Sequence, residues 1–175
     1  MNFMPDPLHP AVVHFPIVFI LVGTAFALAA VFLRRWALPA FAAGFLAFGA
    51  LGAWVAVQTG ESDGGLLDVL GAQAESTLEG HEMWAERTLV IAVIAAVLAI
   101  ASALSFRFPR GARGVGALAA LVACLASFSV YQTGHRGGAL VFHHGAGING
   151  VADAGQPVDS RKHASHDSDR DEDRD

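Results

Sequence analysis

Four apolar runs, at roughly 11–33, 36–58, 87–106 and 114–133, constrain this chain more than any other feature. The first, from Ala11 to Leu33, spans about 34 Å as a helix, against a hydrocarbon core of about 30 Å. The second and fourth also suffice, and the third extends upstream through Trp84. Backbone inside a bilayer has no water to bond, so each run must close its own hydrogen bonds as helix. The composition agrees: 54% hydrophobic and 15% charged residues exceed what a soluble domain of this length shows. The expected fold is an all-α membrane protein with four transmembrane helices in an up-down-up-down bundle. Residues 1–150 would form that domain. Residues 151–175 are polar and charge-mixed, ending Asp-Ser-Asp-Arg-Asp-Glu-Asp-Arg-Asp, and read as a disordered tail that also carries His163 and His166.

A retained helix, rather than a cleaved leader, is the expectation for the first run. Ala27-Leu28-Ala29 has the look of a cleavage site, but no basic residue precedes the run, which is too long for a signal core and stops at Arg34-Arg35. Loop charge then sets orientation. Arg34 and Arg35 join helices 1 and 2, and Arg107, Arg110 and Arg113 join helices 3 and 4, with no acid in either connection. The connection between helices 2 and 3 carries Glu61, Asp63, Asp68, Glu75 and Glu79, with no Lys or Arg before Arg87. The positive-inside rule therefore puts both termini on the periplasmic face of a bacterial inner membrane. The net charge of −5 belongs to the outer loop and the tail, and gives no reason to expect nucleic acid.

Two segments match one another. Gln58-Thr59-Gly60 closes helix 2 and Gln132-Thr133-Gly134 closes helix 4, each with an aromatic residue four positions earlier, Trp54 and Phe128. This reads as two repeated helical hairpins about an axis along the membrane normal. Gly60 and Gly134 suit C-terminal caps. Pro16 would free the carbonyl around Val12 and bend helix 1 below His14. The single cysteine, Cys124, excludes an internal disulfide, and no Cys-x-x-Cys-His segment is present for covalent haem. Cys124 lies on a small-residue packing stripe with Gly116 and Ala120.

The histidines carry the chemical expectation. His9 and His14 open helix 1, His81 precedes helix 3, and His135, His143 and His144 follow helix 4, so the topology gathers them at one end. Helices 1 and 3 are diagonal in a sequentially connected bundle. His14 and His81, turned inward, would present ligands to the two faces of a planar haem. His144 or His135 would be an alternative ligand, with the glycine-rich segment 137–148 folding back over the mouth of the bundle. Glu79, Glu82 and Glu86 are candidate partners that fix the His81 tautomer, though acids also favour a first helical turn for ordinary reasons. A copper or zinc ion held by His9, His14, His81 and His144 is the competing expectation.

The opening Leu8-His9-Pro10-Ala11-Val12-Val13-His14-Phe15-Pro16-Ile17 and the closing Gly137-Gly138-Ala139-Leu140-Val141-Phe142-His143-His144-Gly145-Ala146-Gly147-Ile148 resemble a bacterial membrane family, catalogued as domain of unknown function 2231. The resemblance covers about residues 8–148. It matches His9, Pro10, His14, Phe15 and Pro16, then His81, then Gly138, Leu140, His144, Gly145 and Gly147. Some relatives are joined to Rieske or cytochrome c modules, which implies electron transfer near the outer face; this chain has no such module.

The expectation is thus a b-type cytochrome-like electron-transfer protein with haem b near the periplasmic face, rather than a stand-alone enzyme. Quinone and a periplasmic redox protein would be its partners beside the lipid bilayer, with Trp84 and Phe142 lining the route. The alternatives are a copper- or zinc-binding protein, or an accessory or anchor subunit of a larger respiratory membrane complex. No nucleophile elbow or phosphate loop points to a hydrolase.

Overall fold

The computed structural model describes residues 9–33, 35, 37–64, 72–105 and 109–144. The tail at 151–175 and the segment 145–148 lie outside the described residues. Every described element is helical: α1 (His9–Val12), α2 (His14–Phe32), α3 (Ala37–Gly64), α4 (Ala72–Leu104) and α5 (Pro109–His144). Four stretches are long and apolar enough to cross a membrane: His9–Phe32, Ala37–Gly60, Ala74–Leu104 and Arg113–His144.

Proline chemistry explains the gap between α1 and α2. Pro16 has no N–H to offer the Val12 carbonyl, and the helix is interrupted at Val13 before restarting at His14. The Val13 N–H still bonds the His9 carbonyl at 3.1 Å, so α1 stays nearly in line above α2.

Two expectations about helix ends are corrected. Gly60 and Gly134 are not caps, since α3 continues to Gly64 and α5 to His144. Residues 137–144 are the last turns of α5 rather than a fold-back loop. Hydropathy marks where a helix meets lipid, and these helices continue past that boundary.

The core is built of alanine. Among the described residues, 15 of the 19 buried apolar side chains are alanines. They recur at helical spacing: Ala92, Ala95, Ala96 and Ala99 on α4, then Ala119, Ala120, Ala123 and Ala126 on α5. Large residues such as Val18, Leu21, Phe48 and Leu121 face outward. Lipid tails are as apolar as leucine, so burying bulk between helices gains little there, and close backbone approach takes its place. Glycine carries that approach between α2 and α3. A Cβ on Gly49 would lie 2.7 Å from Ile20 Cγ1, and one on Gly23 would lie 3.0 Å from the Leu46 nitrogen. Cys124 is half-buried and carries a free thiol.

Contacts fix the arrangement. Phe26 stacks on Phe41, Phe19 packs on Phe48, and Pro16 meets Gly52, so α2 and α3 run antiparallel. Trp84 packs on Phe128, Thr88 bonds Ser129, and Ser102 approaches Gly116, so α4 and α5 do the same. Both α2 and α4 pack on α3 and on α5, which leaves α2 and α4 facing each other across the centre. Deep in the core, the Thr24 hydroxyl lies 2.8 Å from the Ile20 carbonyl, 3.1 Å from the Ala123 carbonyl and 2.9 Å from Ser127, tying α2 to α5.

Candidate functional site

At the histidine end, the inner faces are lined by Ala53 and Ala56 on α3, Ala85 on α4 and Gly134, Gly137 and Gly138 on α5. So little side chain leaves a cavity of about 460 Å³, within the range of small-molecule and cofactor sites. Its lining is almost wholly apolar apart from His9, His14, His81, Thr88 and Thr133.

His9 and His81 come from the starts of the two hairpins and meet there. Their ring centroids are 6.2 Å apart and their planes stand at 88°. Each is held in the same way. His9 Nδ1–H donates to the Ala56 carbonyl at 2.8 Å, and a Cβ on Gly60 would lie 3.1 Å from its Cε1. His81 Nδ1–H donates to the Thr133 carbonyl at 3.0 Å, and a Cβ on Gly137 would lie 3.1 Å from its Cε1. The device is a helix carbonyl with glycine four residues later, one turn along, where any side chain would cover that carbonyl. A carbonyl only accepts, so in the neutral ring the proton sits on Nδ1 and the lone pair on Nε2. A ligating histidine characteristically donates its other nitrogen in this way.

The threonines join this device to the duplicated motif. Thr59 Oγ1 lies 3.4 Å from His9 Nδ1 and donates to the Val55 and Ala56 carbonyls. Thr133, its counterpart in the second Gln-Thr-Gly, supplies the carbonyl for His81. Its hydroxyl lies 3.0 Å from that of Thr88, which lies 2.7 Å from Ser129. The three hydroxyls therefore brace one another beneath His81.

The other expected residues lie elsewhere. The ring facing His81 is that of His9, and His14 sits exposed on the cavity rim. Helical periodicity accounts for this. Val18 and Leu21, four and seven residues after His14, face outward, whereas Pro16 and Ile20, seven and eleven after His9, are buried. His135 is exposed and stacks on Tyr131. His144 Nε2 shares a 3.3 Å hydrogen bond with Thr77 Oγ1 on α4, away from the cavity lining. His143 is exposed, as are Glu79, Glu82 and Glu86. The Thr133 carbonyl, rather than one of these carboxylates, fixes the His81 tautomer. Among the described residues, no three His, Cys, Asp or Glu side chains are grouped to hold a metal ion.

The family model described as "Predicted membrane protein (DUF2231)" matches residues 5–150. The chain belongs to this family. The DUF2231 match takes in all four long apolar helices and both histidines of the pair. Neither a curated protein nor a solved structure matches the chain.

Proposed function

We propose that this membrane protein binds a b-type haem at its histidine end, where His9 and His81 would hold it, and serves electron transfer. The observation that carries the reading is the His9–His81 pair. Two imidazoles holding one haem iron, at about 2 Å each, would stand with ring centroids no more than roughly 6 Å apart. The separation here is 6.2 Å. The rings come from diagonal helices, each is locked by its Nδ1–H, and the apolar cavity beside them is of cofactor size. Two imidazoles suffice for a haem, whereas copper or zinc in tetrahedral coordination needs more ligands than this pair. The chemistry such a haem, held by two imidazoles, would supply is one-electron transfer. Membrane quinone on one side and a periplasmic redox protein or larger respiratory complex on the other are the partners this chemistry calls for.

The test is optical. Purified full-length protein, reduced, should show the sharp bands of a low-spin haem. His9→Ala and His81→Ala should each abolish them, while His14→Ala, His135→Ala and His144→Ala should leave them in place. Protein that carries copper or zinc and no haem spectrum overturns the reading, as does a spectrum that survives loss of both His9 and His81.

A further inference from the structure

On the outer surface of the α4–α5 hairpin, beside the histidine pair but outside its cavity, two arginines converge on one indole. The Arg87 guanidinium carbon lies 5.2 Å from the Trp84 ring centroid and that of Arg136 lies 5.1 Å from it. Arg87 reaches it from the membrane side along α4, and Arg136 comes across from α5. Arg136 is held in place: its Nη1 donates to the Gln132 carbonyl at 3.1 Å and lies 3.4 Å from Gln132 Oε1. Its stem lies over Gly80, where a Cβ would stand 3.6 Å from Cδ.

Three features give this cluster meaning. Glu82 and Glu86 are exposed on the same helix, yet among the described residues no carboxylate pairs with either guanidinium. Gln132 occupies only Nη1, so most of the Arg136 donors stay open. And Trp84, packed on Phe128, gives the site an apolar wall at the depth where indoles meet headgroups. Two guanidiniums on one indole, with no carboxylate partner among the described residues, match a phosphate, which accepts their planar, paired N–H donors.

We infer that Trp84, Arg87 and Arg136 form a binding site for the phosphate headgroup of an anionic phospholipid in the leaflet at the histidine end. The site stands independently of the haem reading. Its acyl chains would lie along the outward apolar face of the hairpin, which Leu125 and Phe128 continue below.

The experiment is native mass spectrometry of the full chain released from bilayers of phosphatidylglycerol and phosphatidylcholine in equal amounts. The wild type should retain phosphatidylglycerol preferentially. Arg87→Gln/Arg136→Gln should lower that preference by roughly thirtyfold, the scale of losing two cations at a membrane surface. Arg113→Gln, at the opposite end of the bundle, should leave it unchanged. Arg136→Gln alone keeps the Trp84–Arg87 contact and should lower it severalfold, which guards against a double variant that fails to fold. An undiminished preference in the Arg136 variant, an equal loss in the Arg113 variant, or displacement of the lipid by inorganic phosphate would each overturn the site.

Discussion

Glycine at position i+4 from a helix carbonyl decides whether an imidazole can reach that carbonyl. Gly60 and Gly137 meet this condition for His9 and His81, and alanine at either would set a methyl carbon 3.1 Å from Cε1. Gly60→Ala and Gly137→Ala should therefore push a ring off its carbonyl and destabilise the fold by about 1–3 kcal/mol, the usual cost of overpacking. Gly134 is the internal control, because a Cβ there meets nothing within 4 Å. Gly134→Ala should stabilise by about 0.5–1 kcal/mol, since glycine inside a helix loses the most backbone entropy. Thermal melts of the three variants in one detergent check both signs. The six histidines at one end were legible in the sequence, and so was their segregation from the opposite end. Which of them turns inward was not, because Val18 and Leu21, which share the His14 face, are apolar whether they meet lipid or core. The carbonyl partners were not, because a backbone acceptor leaves no mark in side-chain type. The second Gln-Thr-Gly holds one of them, Thr133, but the other, Ala56, lies before the first and carries no such mark.

At the scale of elements, small residues set how closely helices approach, and Pro16 sets where the first one breaks. Gly49 faces Ile20, whereas Gly44, five residues earlier, faces open space. Gly49→Ala should lower the melting temperature while Gly44→Ala should not; equal shifts would sink the account of α2–α3 packing. Pro16→Ala should join α1 to α2, because residue 16 would then offer an N–H to the Val12 carbonyl. His9 would rotate away from Ala56, so uptake of the proposed haem should fall with helical circular dichroism preserved or increased. Apolar runs predicted the number and order of the membrane helices, yet misplaced their ends. The last apolar run stops near Thr133, but α5 continues to His144 through Gly134, Gly137 and Gly138. Those glycines look like stop signals in isolation. Packing against α4, seen at His81 and Thr77, holds the chain helical through them.

For the molecule as a whole, the two hairpins bring their histidines together, and the arginine-rich connections at the other end give the orientation to test. In a Cys124→Ser background, Glu79→Cys should react with a membrane-impermeant maleimide in intact cells, and Arg35→Cys only after lysis. The reverse pattern would put the histidine end in the cytoplasm. Both sites are exposed, so accessibility will not confuse the result.

The helices also differ in reach. With 19 residues, α2 measures about 28 Å, whereas the 33 and 36 residues of α4 and α5 measure about 50 and 54 Å. A bilayer core of about 30 Å is covered by the first and overshot by the others. At the histidine end α4 and α5 continue past the half-buried pair, and a visitor from that side meets their tips, where Thr77 bonds His144, before it comes near the two rings.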